Sequence, residues 1–252
     1  MPNAECRSVR FKSYPVILAY HRVAPTPDPG TPTVTPATFE RQIAFVCRCA
    51  RVLTLKSAVR EWLNLGRWPE RAAVITFDDG DGTTHAHAWP VLQRLHAPAT
   101  VFMIAGNVDR PNSLTRAQLA ELADGGIEIG SHTVHHAYLP SIPADRVADE
   151  LRDSKRMLAE MSRSAVETLS YPAGGFSSDV RRAAQEAGYF AACTTNRALP
   201  PQSLNHLITQ SPPLDRWALR RIKMTERTDS PWLIRAKLSG YYDNFRRLEP
   251  AC

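Results

Sequence analysis

The 252-residue sequence predicts an α/β protein: a distorted (β/α) barrel of about seven to eight mostly parallel strands, in a single domain. Two patterns carry that expectation. Short apolar runs alternate with longer amphipathic stretches, the rhythm of strand–helix–strand units. Several of those runs are apolar and β-branched throughout, as strands covered on both faces must be. Composition narrows the alternatives. Hydrophobic residues make up 43% of the chain, charged residues 22% and aromatics 8%, which excludes wholesale disorder, a collagen repeat and a multi-span membrane protein.

In chain order, the predicted strands are 16–20, 52–55, 73–77, 100–104, 127–129, 167–171, 189–193 and 219–224. Thr35-Pro36 opens a helix, with threonine as N-cap and proline at the first helical position. Segment 113–123 repeats apolar residues every three or four positions and stops at Asp124-Gly125-Gly126. Segments 143–162 and 177–187 are amphipathic, the second closing at Gly188. The proline-rich stretch 24–36 and the irregular stretch 197–216 read as loops of the kind that shape a groove at the carboxyl ends of barrel strands. The organisation expected is an N-terminal extension over 1–14, one domain over 15–225, and a basic, aromatic tail over 226–252.

The formal net charge is +6, yet no nucleic-acid motif accompanies it, so no nucleic-acid partner is expected. Five cysteines (Cys6, Cys47, Cys49, Cys193 and Cys252), an odd count without a C-x-x-C pair, read as reduced thiols. The first residues show no apolar core of signal-peptide length, and no run approaches the ~20 apolar residues that cross a bilayer. The expectation is a cytoplasmic protein. In the tail, Trp232, Leu233, Ile234, Leu238, Tyr241, Tyr242 and Phe245 alternate with basic residues. That pattern reads either as a peripheral contact with the inner face of the membrane or as packing against the barrel.

Three fragments carry chemistry. Ala73-Val-Ile-Thr-Phe-Asp78-Asp79-Gly80 runs an apolar strand into two adjacent carboxylates, which both become useful only where the chain turns at a strand end. Gly130-Ser-His132-Thr-Val-His135-His136 follows another strand, and His132 and His136 are four apart. Two imidazoles plus one carboxylate make a three-ligand set with an open position, the usual pattern of a hydrolytic metal centre. Ser170-Tyr171-Pro172-Ala173-Gly174-Gly175 ends a third strand in a turn whose backbone N–H groups can point at a developing oxyanion. Taken singly, each also reads as ordinary turn or loop chemistry.

Together, in this order and spacing, the three fragments resemble the polysaccharide deacetylase (NodB-homology, carbohydrate esterase family 4) family over about residues 15–225. The resemblance implies hydrolysis of an acetyl group, most often N-acetyl, on a sugar. It implies Asp78 as catalytic base and Asp79, His132 and His136 as ligands of a divalent metal, usually zinc. A metal polarising the acetyl carbonyl, Asp78 taking a water proton and the backbone N–H of Ala173 holding the oxyanion complete the implied site, with Tyr171, Pro172 and Gly174 binding substrate. The partner implied is an acetylated sugar, oligosaccharide or lipid-linked glycan precursor.

Three departures from the family pattern stand out. Where many members carry an arginine that orients the base, this chain has Ser170, and Arg221 is the substitute expected. Ala173 replaces a tyrosine. No C-terminal Leu-x-x-His motif supplies a general acid. His21, in Tyr20-His21-Arg22-Val23, resembles the start of a subgroup that includes poly-N-acetylglucosamine de-N-acetylases, which makes it the expected acid. The competing readings are a carbohydrate O-acetyl esterase and a non-catalytic glycan-binding relic.

Overall fold

The computed structural model describes residues 15–195 and 215–239. Among these residues there are ten strands: β1 (Val16–Tyr20), β2 (Arg22–Val23), β3 (Thr33–Val34), β4 (Arg51–Leu53), β5 (Ala72–Phe77), β6 (Thr100–Met103), β7 (Glu128–Ser131), β8 (Thr168–Ser170), β9 (Ala191–Cys193) and β10 (Ile222–Lys223). The helices are α1 (Pro36–Cys49), α2 (Leu55–Leu65), α3 (Trp89–Arg94), α4 (Arg116–Asp124), α5 (Ala144–Ser162), α6 (Ser178–Glu186) and α7 (Pro231–Leu238).

The sheet runs β10-β1-β5-β6-β7-β8-β9, and every pairing in it is parallel. Leu219, just ahead of β10, forms a parallel bridge to Cys193 at the end of β9. The curled sheet therefore returns on itself through one bridge rather than a full ladder, and this is the distortion of the barrel. The upper edge of β5 pairs with β6 at Thr76 and Phe77, while its lower half on the same side pairs with β4.

Alternation along β5 sorts its side chains. Ala73, Ile75 and Phe77 join the large core between sheet and helices. There Tyr20, Phe39 and Phe77 form an aromatic cluster with ring centroids 5.1–5.7 Å apart. Ala72 and Val74 belong to the second core with Ile17, Phe102, Ala191, Cys193 and Leu219. Leu55 and Val59 of α2 join that core. The α2 start is fixed by the backbone N–H of Leu55 donating to Thr100 Oγ1 (2.9 Å) and that of Lys56 to Glu128 Oε2 (2.9 Å).

The strand assignments hold within a few residues, with one local correction. Leu55 opens α2 rather than ending a strand, because Thr54 caps the helix by accepting from the Ser57 N–H. The helix then stops at Gly66, in the left-handed region at φ 69°. Helix α2 and the 84–94 segment, a π-turn running into α3, were not anticipated. The start of α1 is as expected, with Thr35 capping and Pro36 at the first position.

The tail is not a separate unit as far as residue 239. Ile234 and Leu238 are buried, Lys237 Nζ donates to the Lys223 carbonyl, and Gln42 of α1 donates to the carbonyls of Thr225 and Thr228. Trp232 is 70% exposed, and Tyr241, Tyr242 and Phe245 lie outside the described residues, as do Cys6, His206 and Cys252. No helix among the described residues is long and apolar enough to cross a membrane. The reading of reduced thiols needs correction: Cys47 and Cys193 are free, but Cys49 is disulfide-bonded.

Candidate active site

The three chemical fragments converge where the carboxyl ends of β5, β7 and β8 meet, the face on which barrel enzymes assemble their sites. Asp78 continues the row Val74–Thr76 of β5. Asp79, next in sequence, would point the opposite way on a continuing strand. Its φ of 70° turns the chain instead, and both carboxylates reach the same mouth. Gly80 follows, also left-handed at φ 73°, and a Cβ there would meet the sulfur of Met103 at 1.8 Å, so glycine is required.

Asp79 Oδ1 lies 3.6 Å from His132 Nε2 and 3.7 Å from His136 Nε2. One ligand atom from each of the three residues falls within 4.8 Å of the others. These separations exceed hydrogen-bond lengths and suit donors arranged around one ion, since ligands ~2.1 Å from a tetrahedral centre sit roughly 3.4 Å apart. His132 is 2% exposed, and its Nδ1–H donates to the Ser170 carbonyl at 2.7 Å, leaving Nε2 to face Asp79. Burial, opposed by Asp78 and Asp79, holds the His132 imidazole below its ordinary value and favours the neutral, metal-binding form. His136 is exposed, so the cluster opens to solvent on one side. The residues fit a divalent metal.

His135 takes no part. Its Nδ1–H donates to Glu150 Oε1 at 2.6 Å, while Glu150 Oε2 accepts from the backbone N–H groups of Val134 (2.8 Å) and His135 (2.9 Å). Glu150 of α5 thus clamps the loop between the two histidines of the cluster. Burial works against its charge, but those three donors bring its carboxyl below the usual range. Thr133 completes the loop: at φ 66° and fully buried, it accepts from the His136 N–H on Oγ1 at 3.0 Å. Neither residue was anticipated. Glu150 left a trace, because it falls on the buried face of α5 with Val147, Leu151, Ser154 and Leu158.

Arg221 meets Asp78 in a buried, bidentate pair, Nη1 to Oδ1 and Nη2 to Oδ2 at 2.6 Å each, with side chains 3% and 5% exposed. The guanidinium also donates to Thr76 Oγ1 (3.2 Å), Ser170 Oγ (2.9 Å) and the Thr194 carbonyl (3.4 Å), and lies 5.5 Å from the Phe102 ring centre. Arg221 therefore sits directly against Asp78, and Ser170, which stands where an arginine was looked for, is one of its acceptors. Burial opposes ionisation of Asp78, yet the Arg221 charge, with His132 and His21 behind it, keeps the carboxyl well below the usual carboxylate range.

His21 follows β1 directly. The Asp78 N–H donates to the Tyr20 carbonyl at 3.0 Å, which sets His21 beside Asp78, and the buried His21 Nδ1 has no partner among the described residues. Ala173 sits at φ 51° in the turn Pro172–Gly174, which Gly174 and Gly175 close by donating to the Tyr171 and Pro172 carbonyls. Two of the expected substrate-binding side chains are corrected. Tyr171 is 0% exposed and stacks on Phe176 at 5.1 Å, and Pro172 is buried, so they shape the turn rather than offer a surface. A Cβ at Gly174 would meet the backbone nitrogen of Thr195 at 2.5 Å, so its contribution too is close packing.

A barrel rim bearing a paired acid beside a carboxylate–imidazole–imidazole cluster has the donor set of a candidate metal site. The chain belongs to the polysaccharide deacetylase family, whose profile matches residues 66–192. Over 126 residues it is 35% identical to YxkH of Bacillus subtilis, a protein named for the same family, covering 50% of this chain and 45% of that one. Over 192 residues it is 27% identical to the poly-beta-1,6-N-acetyl-D-glucosamine N-deacetylase of Staphylococcus aureus, covering 70% of this chain and 66% of the relative. The chain thus spans about half to two thirds of the length of these relatives. Its fold matches that of the Streptococcus pyogenes deacetylase PplD, solved in complex with acetate, at a TM-score of 0.73 and 23% identity, covering 94% of this chain and 98% of that one. His21 and Arg221 lie outside the residues matched by the family profile.

Proposed function

We propose that this chain is a carbohydrate deacetylase that hydrolyses N-acetyl groups on an amino sugar within an oligomer or polymer. One observation carries the reading: a buried carboxylate held ionised by a bidentate arginine adjoins a three-donor cluster that opens to solvent. A divalent metal, zinc in the reading favoured here, would be held by Asp79, His132 and His136 and would supply Lewis acidity toward the acetyl carbonyl when bound. Asp78, fixed by Arg221, accepts a proton from the attacking water. The Ala173 N–H is offered to the oxyanion from a turn whose shape is set by its own hydrogen bonds. His21 gives a proton to the departing amine. Amide cleavage requires that step, and an unpartnered imidazole nitrogen beside the base suits it. The name of the Staphylococcus aureus relative supports a β-linked N-acetylglucosamine polymer as the substrate class.

Acetate release from matched N-acetylated and O-acetylated oligosaccharides tests the reading, with Asp78→Asn as the control. The N-acetylated substrate should be preferred, and Asp78→Asn should lose about 10²–10⁴-fold in turnover while keeping its metal, as expected of a general base. Preference for the O-acetylated substrate would make the protein an esterase. Acetate release unaffected by Asp78→Asn would remove the assigned base.

A further inference from the structure

Tyr138 is one of four large apolar side chains that are exposed among the described residues, at 49%. The other three, Leu63, Leu65 and Trp232, lie on α2 and α7. Tyr138 alone stands at the site, two residues beyond His136. Its backbone is fixed: the carbonyl accepts from the Ser141 N–H (3.0 Å) and hydroxyl (2.8 Å), and the next residue, Leu139, is fully buried. The side chain is thus held outward by an anchored chain.

The ring rests on the Ala173 turn. A Cβ built on Gly175 would meet Tyr138 Cε2 at 2.0 Å, with Cδ2 and Cζ both at 2.7 Å. Gly175 has φ −79° and ψ 122°, ordinary values for any residue, so the turn itself does not require glycine there. The ring does. Tyr138 therefore bridges the metal-binding loop and the turn that carries the oxyanion donor, with about half of its surface open.

We propose that Tyr138 is a stacking platform that receives the apolar face of a pyranose ring in the substrate chain. The inference rests on the deacetylase reading and deepens it. The groups assigned to the chemistry, Asp78, Asp79, His132 and His136, are polar or charged. A sugar presents hydroxyls at its edge and C–H groups on its faces, and an aromatic face beside convergent polar groups meets both. The close fit of ring to glycine pre-positions that face before substrate arrives.

The test uses Tyr138→Ala, Tyr138→Phe and Gly175→Ala, with a tetramer of β-linked N-acetylglucosamine as probe. Thermal unfolding of each variant checks that the fold is intact. Tyr138→Ala should raise KM about tenfold, equivalent to ~1.4 kcal/mol, and change kcat by less than about twofold. Tyr138→Phe should stay within about twofold of wild type in both constants. Gly175→Ala should raise KM in the same direction as Tyr138→Ala by displacing the ring. An unchanged KM in Tyr138→Ala, or an equal loss in Tyr138→Phe, would overturn the platform.

Binding of the tetramer to Asp78→Asn protein, with and without Tyr138→Ala, is measured by calorimetry in parallel. Retained binding without acetate release by wild type would sink the deacetylase reading while still judging Tyr138. Absence of binding in the Tyr138-containing protein would sink the platform.

Discussion

Replacing Arg221 by methionine removes the partner of a buried carboxylate while nearly keeping the volume of the side chain. Asp78 and Arg221 are each 4% exposed, and their two charge-assisted bonds are 2.6 Å long. Leaving one member of such a pair buried and unpaired costs about 3–5 kcal/mol. For a domain of this size each kcal/mol moves Tm by ~2–4 °C, so Arg221→Met should unfold roughly 6–20 °C below wild type. Asp78→Asn combined with Arg221→Met removes both charges and should recover much of that loss, because two neutral side chains carry no such desolvation penalty.

The sign of the pH dependence separates this account from simple loss of packing. In wild type the Asp78 carboxyl is held below its unfolded value, so its contribution is present above pH ~3.9 and is lost as pH falls through the lower folded pKa. Without the guanidinium, burial, the largest single influence on this carboxyl, is opposed only by His132 and His21, and the folded pKa is expected to rise above the unfolded one. The penalty of Arg221→Met should then be largest at neutral pH and shrink as acidification protonates Asp78. Circular-dichroism melts of chelator-treated wild type, both single variants and the double variant at pH 5 and pH 7.5 supply the cycle. A single variant within ~2 °C of wild type, or a double variant no better than the single, would refute the reasoning.

Three further outcomes are expected. Chelation should abolish activity and added divalent metal restore it, with Asp79→Ala and His132→Ala unable to retain metal by elemental analysis; full activity in verified metal-free protein would dismiss the cluster as a cofactor site. Glu150→Ala should weaken metal affinity about 10–100-fold in a competition titration, as loss of a residue that orients ligands does, without entering the coordination itself. For His21→Ala, hydrolysis of an N-acetylated sugar should collapse while an activated acetyl ester, whose leaving group needs no proton, is still cleaved; equal loss on both would deny His21 the acid role.

Much of the site was legible because its residue types are restrictive. Two carboxylates followed by glycine at a strand end, and two histidines four apart after another strand, have few structural uses in common. The strands were legible for a related reason: VILAY and AAVITF are hydrophobic at every position but Thr76 and are buried at every position. What escaped notice was held by long-range geometry. Helix α2 reads as an ordinary amphipathic stretch, and its place follows from Thr100 and Glu128, which lie far along the chain. Arg221 could be nominated from sequence, but its bidentate reach to Asp78 spans 143 positions. Tyr171 misled in the opposite direction, since a tyrosine in a functional turn suggests contact with substrate and this one is packed away.

Left-handed backbone marks where the chain gives up local preference to build the site. Asp79 (φ 70°), Thr133 (φ 66°), His136 (φ 58°) and Ala173 (φ 51°) all adopt it without being glycine. Each such residue costs on the order of 1–3 kcal/mol and persists only where its surroundings over-determine it. Those surroundings are visible. Thr133 is a β-branched residue in a region that disfavours it most, yet its N–H donates to Ser131 Oγ and its own Oγ1 accepts from His136. Asp79 is followed by Gly80, whose N–H donates to the Asp78 carbonyl and whose carbonyl accepts from Leu114. A regular strand end would send Asp78 and Asp79 to opposite faces, and a regular turn after β7 would not return His136 toward His132. The strain is therefore what brings three donors from two loops to one point, and the bonds from Ser131, Thr133 and Glu150 are what hold it there.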